Sequence, residues 1–330
     1  MTHPRNVLLG AQAGGSFLPV CDHYSGVAVR MRKSLQLQAE LAQEFGACVF
    51  DVTLDCEDGA PVGGEVEHAA LVAELLASAS PACRVGVRVH AVDHPAFAGD
   101  VATLVGAKPA FVMVPKVDTL AQVTQAVAAV DAAGGSQLPL HVLLESPLAI
   151  HHAFDIAAHP RVQSLSFGLM DFVSAHGGAI PSSGMGVAGQ FAHPLVVRAK
   201  LALASAAHAF GKVPSHCVVT EFRDTAALRQ AALKARNELG YTRMWSIHPD
   251  QIRTIIDVFA PTLDEVDEAA HIIGQAAQHD WAPTQVAGKL HDRASYRFFW
   301  QILERAHHTG RALPAEMAKY FLDNDRSLPC

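Results

Sequence analysis

Residues 138–171 read LPLHVLLESPLAIHHAFDIAAHPRVQSLSFGLMD. An apolar run closes in Glu145, a helical stretch follows, and a second apolar run reaches Gly168 with Asp171 just beyond. Strand, helix, strand is a βαβ unit, whose right-handed crossover predicts two parallel strands of one sheet. Neighbouring strands lie roughly 4.7–4.9 Å apart. Two carboxylates one unit apart, each at or past the carboxyl end of its strand, are placed to converge on one hard cation. The expectation is a magnesium site at the mouth of a βα barrel.

The same unit recurs on both sides. Strands are predicted at SFLPV (16–20), with Cys21, Asp22, His23 and Tyr24 at its exit, at CVFDVTLDCED (48–58), RVGVRVH (84–90) and AFVMVPK (110–116). The quoted stretch supplies the fifth and sixth, HCVVTE (216–221) the seventh and YTRMWSIHP (241–249) the eighth. Helical spacing covers residues 28–45, 65–78, 96–106, 118–133, 191–210 and 225–239, and one helix joins strands five and six. No GxGxxG follows the first strand, so an open dinucleotide-binding sheet is not indicated. The fold class is α/β, a TIM (β/α)8 barrel with a C-terminal helical extension. Residues 1–260 form the barrel, with an irregular N-terminal arm ending at Gly14 and Gly15. Residues 261–330 form the extension, with a helix over 262–279. Its Phe298, Phe299, Trp300 and Ile302 are too apolar for water and must pack on the barrel or on a neighbouring subunit.

A chain of 330 residues exceeds the roughly 250 of a typical barrel. Half the residues are apolar and 17% charged, which suits a sheet buried under helices. A net charge of −7 without a basic run argues against a nucleic-acid surface. No apolar run approaches the ~18 residues of a membrane span, and the N-terminus lacks a signal-peptide pattern, so a cytoplasmic protein is expected. The six cysteines show no CxxC and read as free thiols. The 19 histidines read as scattered, without the HxxxH of a helical zinc site.

Barrel chemistry is carried at the carboxyl ends of strands, which selects Asp22, Glu57, Asp58, Arg88, Lys116, Glu145, Asp171 and His248. Glu145 closes an apolar run and must be metal-bound or salt-bridged. Asp171 is either a second ligand or a helix N-cap. Glu57 and Asp58 cannot both point inward; they hold metal-bound waters or orient Arg88, against the alternative of a solvated acidic loop. Arg88, inside VGVRVH, requires an anion, and both Asp58 and a substrate carboxylate bound by two parallel hydrogen bonds are expected. Lys116 is a Schiff-base lysine or, preferably, the counter-ion of the acidic cluster. His248, before Pro249, reads as a helix-start residue. The glycines at 177, 178, 184, 186 and 189 form no P-loop and read as a mobile lid.

Taken in order, LDCEDGAP (54–61), VRVH (87–90), VPK (114–116), LLES (143–146), FGLMD (167–171) and SIHPDQI (246–252) resemble the citrate lyase β-subunit-like family of the HpcH/HpaI aldolase superfamily. The resemblance spans about residues 16–305. It implies a TIM barrel that makes or breaks a C–C bond in a 3-hydroxyacyl-CoA thioester of malyl, citramalyl or citryl type. It also implies Mg²⁺, with Mn²⁺ as substitute, on Glu145 and Asp171, and coenzyme A as part of the substrate. Arg88 matches the substrate-carboxylate arginine, and Glu57 and Asp58 match the acidic pair. Gly168 and Lys116 are expected beside the substrate. Asp292, in GKLHDR, matches an aspartate that reaches the neighbouring subunit's site, so a homotrimer or homohexamer is expected. The family's RSxLxVPG is replaced by SFLPVCDHYSG, leaving Arg30, Arg32 or Lys33 for coenzyme A. The expected small-molecule partners are an acyl-CoA and a keto acid. The alternatives are a CoA-independent class II aldolase, an acyl-CoA thioesterase and a non-catalytic barrel subunit.

Overall fold

The computed structural model describes residues 3–10 and 17–321. It opens on α1 (Pro4–Leu9), followed by β1 (Cys21–Ser25), α2 (Ala28–Phe45), β2 (Phe50–Asp55), α3 (Glu65–Ala77), β3 (Val85–Arg88), α4 (Phe97–Gly106) and β4 (Val112–Val114). Next come α5 (Leu120–Ala132), β5 (Leu140–Leu144), α6 (Pro147–His151), α7 (Ala153–Ala158), β6 (Val162–Phe167), α8 (Leu169–Ser174) and α9 (Pro194–Ala209). Then follow β7 (Val213–His216), α10 (Thr225–Leu239), β8 (Arg243–Ser246), α11 (Pro249–Phe259) and α12 (Leu263–Gln278). The chain ends in a hairpin of β9 (Thr284–Val286) and β10 (Lys289–His291), then α13 (Arg293–His308) and α14 (Ala315–Ala318). Strands β1 to β8 close in sequential order into a parallel barrel.

Four expectations shift. The first strand lies at Cys21–Ser25, after SFLPV rather than on it, and residue 16 falls outside the described set. Pro19 precedes the strand, and its carbonyl accepts a hydrogen bond from Arg243 instead of entering the ladder. The seventh strand ends at His216 and leaves residues 217–221 as a rim loop. The single helix after β5 breaks at His152 into α6 and α7. Residues 4–9 of the supposed arm are helical, capped by His3 with Pro4 in the first turn, while residues 11–16 lie outside the described residues.

Side chains alternate along the strands, so one face of each fills the lumen and the other packs under helices. In β2 the inward set is Asp51, Thr53 and Asp55, and in β5 it is His141 and Leu143, with Glu145 next. The lower lumen is ionic. Arg243, fully buried, binds Asp22 Oδ2 at 2.9 Å and Asp51 Oδ2 at 2.7 Å, while Arg84 Nε donates to Asp51 Oδ1 at 3.0 Å. Asp22 is therefore corrected from a rim candidate to a buried partner of Arg243. A later strand start moves it down into the lumen.

The main core lies between barrel and helices, on residues such as Phe50, Leu54, Val87, Phe167 and Ile255. A second apolar cluster joins Leu8 and Leu9 of α1, Val266 and Ile273 of α12, and Tyr296, Trp300 and Leu303 of α13. Trp300 and Phe299 are buried there, whereas Phe298 remains 58% exposed. None of the five described cysteines is in a disulfide, and Cys330 lies outside the described residues. No described helix is long and apolar enough to cross a membrane.

Candidate active site

Strand register builds the upper rim. Asp55 of β2 stands directly beside Arg88 of β3, and Leu144 beside Phe167, which sets Glu145 next to Gly168. Arg88 donates to Asp55 from Nε at 2.6 Å and from Nη2 at 2.5 Å, and its Nη1 lies 3.2 Å from Glu57 Oε2. Asp55 also accepts the Glu57 and Gly59 amides at 2.9 and 2.8 Å. Burial alone would raise its pKa, but Arg88 and these amides hold it below the ordinary carboxylate value. A Cβ on Gly59 would fall 2.2 Å from Asp55 Oδ2, so this turn requires glycine. The partner of Arg88 is thus Asp55, not Asp58. The alternation Asp51-Thr53-Asp55 carried that signal in the sequence, since period two sends Asp55 inward.

Lys116 pairs with the acidic turn, as expected. Its ammonium contacts Glu57 and lies 3.3 Å from both Asp58 oxygens. Burial pulls the lysine pKa down, yet the two carboxylates push it above its ordinary value, so it stays an ammonium and not an amine nucleophile. Its backbone is left-handed, at φ 53°, and aims its N–H at Glu145 Oε1, 2.7 Å away. Such a conformation in a non-glycine residue costs about 1 kcal/mol or more and persists where surrounding contacts fix it.

Glu145 is buried, and among the described residues no Lys or Arg forms a salt bridge with it; its hydrogen bond is to the Lys116 amide. Burial first, and then the Asp171 carboxylate, push its pKa up to about 8. Asp171 is half-buried at the third residue of α8, whose N-cap is Gly168, and it makes no capping bond. Gly168 makes room for the pair: a Cβ there would stand 2.4 Å from Glu145 Cβ and 2.5 Å from Oε2. Two interacting carboxylates, with no salt bridge to either among the described residues, suit a hard dication. No group of three or more His, Cys, Asp or Glu converges among the described residues. Two carboxylates suffice for Mg²⁺, which keeps waters and takes substrate oxygens for its remaining positions. Gly168→Ala should move the Glu145 carboxylate and lower Mg²⁺-dependent turnover by ~10–100-fold, the range for groups that orient a metal ligand. The check is a Mg²⁺ titration of activity; an unchanged half-saturation and rate would refute the packing role.

A cleft of about 800 Å³ opens beside this rim, lined by Tyr24, Arg88, Trp245, Phe222 and the cations Arg30, Lys33 and Arg223. Tyr24 stacks on Trp245 at 4.1 Å between ring centroids, and the Arg88 guanidinium lies 5.1 Å from the Tyr24 centroid. His248 caps α11, accepting the Asp250 amide, and stacks on Phe222 at the cleft wall. Asp292 is exposed and caps α13 through the Ala294 and Ser295 amides, and no described contact joins it to the Arg88–Glu145 group in its own chain. In the glycine-rich loop, the Val187 amide is held by Glu221 Oε1 at 3.2 Å. His90 and His94 do stand four residues apart, correcting the reading that no such spacing occurs, though in a turn; their rings stack at 4.2 Å, and His90 is fixed by Asp100.

The profile of the HpcH/HpaI aldolase/citrate lyase family matches residues 36–249. The L-malyl-CoA/beta-methylmalyl-CoA lyase of Rhodobacter capsulatus is 30% identical over 233 residues, which are 64% of this chain and 73% of that protein. A (3S)-malyl-CoA thioesterase of Cereibacter sphaeroides is 27% identical over 256 residues, 76% of this chain and 84% of that one. A citrate lyase crystal structure from Burkholderia xenovorans LB400 superimposes with a TM-score of 0.83 at 47% identity, covering 97% of this chain and 100% of that one.

Proposed function

This chain belongs to the HpcH/HpaI aldolase/citrate lyase family, and on that premise we propose that it is a Mg²⁺-dependent carbon–carbon lyase acting on a 3-hydroxyacyl-CoA thioester. The observation that carries the reading is buried Glu145 interacting with half-buried Asp171, with no salt bridge to either among the described residues, on the rim that also carries Arg88. Glu145 and Asp171 would hold the ion. When bound, it supplies Lewis-acid stabilisation of charge developing on the oxygen of the carbon being cleaved.

The chain's own groups bind and orient. Arg88 has five N–H donors, three of them directed at Asp55 and Glu57, so one N–H on Nη1 and one on Nη2 are left for a substrate carboxylate. Asp55 and Glu57 keep the guanidinium in that orientation. Lys116 neutralises Glu57 and Asp58 and steers Glu145 through its amide, and Gly168 leaves the substrate side of the rim open. Arg30, Lys33 and Arg223 are the cations suited to the phosphates of coenzyme A, and Tyr24, Phe222 and Trp245 give the acyl and pantetheine parts an apolar wall. In this reading the hydroxyl loses its proton, the C–C bond breaks, a keto acid forms and the thioester enolate is protonated. Asp292 of a neighbouring subunit would hold that last proton. The exposed Leu290 and Phe298 flanking it in sequence suit a contact with another subunit.

The test is a screen of acyl-CoA thioesters with Mg²⁺, following keto acid and free coenzyme A separately. Keto acid together with a shortened acyl-CoA is expected. Free coenzyme A in equal amount to substrate consumed would identify hydrolysis instead, the reaction in the name of the Cereibacter sphaeroides relative. Turnover of free hydroxy-keto acids alone would identify an aldolase that does not need the thioester.

A further inference from the structure

Away from the carboxylate rim, a lysine, a cysteine and a glutamine meet in full burial. Lys200 comes from α9, Cys217 directly follows β7, and Gln190 lies in the turn at residues 189–191 that closes the glycine-rich loop. Gln190 and Lys200 have no exposed surface and Cys217 is 1% exposed. Lys200 Nζ donates to Gln190 Oε1 at 2.7 Å, and Cys217 Sγ donates to the same oxygen at 3.2 Å. Nζ also lies 4.3 Å from the centroid of the Phe191 ring. Gln190 Nε2, equally buried, has no partner.

This is an unusual setting for a lysine. A buried ammonium is ordinarily paired with a carboxylate, because an isolated charge in the interior is costly. Among the described residues no carboxylate pairs with Lys200; its neighbours are an amide oxygen, an aromatic face and a thiol. Burial pulls the lysine pKa down and pushes the Cys217 thiol up, so both groups are drawn toward their neutral forms. An amine and a thiol, held on one acceptor oxygen with almost no exposed surface, are the two halves of an oxidisable pair.

We propose that Lys200 and Cys217 are a redox-sensitive modification site, at which one oxygen atom becomes bridged between Nζ and Sγ. The oxidant is dioxygen. One N–H bond and the S–H bond break, one oxygen atom enters the N–O–S bridge, and the other leaves as water with those two hydrogens. Nitrogen and sulfur each give up two electrons and dioxygen accepts four. Two equivalents of a dithiol return amine, thiol and water. Formation removes the Cys217 donor and one of the Nζ hydrogens that face Gln190 Oε1, and it ties α9 covalently to the end of β7.

The test is peptide mapping by mass spectrometry of the full chain, kept either in air-saturated buffer or in dithiothreitol, and digested with trypsin. In the oxidised sample the Lys200 and Cys217 peptides are expected as one species. Its mass should equal their joined mass plus one oxygen less two hydrogens, with loss of cleavage after Lys200 and full recovery of cleavage in dithiothreitol. Cys217→Ser should abolish the species, and Lys200→Met should divert Cys217 to its sulfinic acid. If trypsin still cuts after Lys200 while Cys217 is unmodified or only sulfinic in the wild-type chain, the proposal is overturned. Persistence of the mass change in Cys217→Ser overturns it as well. The wild-type map decides alone if a variant does not fold.

Discussion

Glu145→Gln and Asp171→Asn should each reduce Mg²⁺-dependent turnover on the order of 10³-fold or more. Both replacements keep side-chain shape and remove one negative charge from a pair with no salt bridge among the described residues. A Lewis acid contributes several kcal/mol of charge stabilisation in the transition state, and each ~1.4 kcal/mol is a factor of ten in rate. The measurement is the initial rate against Mg²⁺ concentration for wild type and variants, with EDTA-treated wild type alongside. Full activity in EDTA would sink the metal assignment, and so would a variant within tenfold of wild type at saturating Mg²⁺.

Stability provides a second readout that does not depend on substrate. The metal-free Glu145 pKa of about 8 lies above its unfolded value near 4.5. A raised carboxyl pKa contributes stability that is present below the unfolded pKa and is lost as pH rises through the folded one. Metal-free Glu145→Gln should therefore melt no lower than metal-free wild type above pH 8, while being inactive. A variant both inactive and strongly destabilised would mean that Glu145 is structural.

Arg243→Met should cost about 3–5 kcal/mol of folding free energy at neutral pH, because it leaves two carboxylates buried without their shared cation. Asp22 Oδ2 and Asp51 Oδ2 both depend on that guanidinium, and the arginine and both acids are wholly buried. Arg84 still serves Asp51, and Thr53 still donates to Asp22 Oδ1 at 2.7 Å. Asp22 therefore bears most of the loss. Burial already raises its pKa, and without Arg243 it should rise further. A raised pKa makes the deficit largest at neutral pH and smaller in mild acid, where Asp22 is protonated in the folded state. Urea unfolding at two pH values measures this, and Arg243→Met/Asp22→Asn should recover part of the loss as a coupled pair. A deficit below 1 kcal/mol would mean that the lower lumen is hydrated well enough to hold bare carboxylates.

Much of this molecule follows from periodicity in the chain. Alternating strands with helical spacers require parallel neighbours, and that placed Glu145 and Gly168 side by side before any contact was known. Glu57, Arg88 and Lys116 were also legible, since charged residues ending apolar strands need partners. Strand ends were not legible to within a few residues. Local pattern does not distinguish SFLPV from the true first strand, because closure against β8 and β2 decides which five residues enter the ladder. That shift moved Asp22 from the rim to the base of the lumen.

The sequence by itself determines the order of the eight barrel strands and the residue types near their ends, because backbone propensity and side-chain alternation act locally. Only the closed barrel decides who pairs with whom. Register makes Asp55 rather than Asp58 the partner of Arg88, a left-handed Lys116 turns its amide to Glu145, and Gly168 yields the space that this carboxylate fills. Those outcomes depend on atoms from strands far apart in sequence coming within hydrogen-bond distance, and local pattern carries no information about such distances.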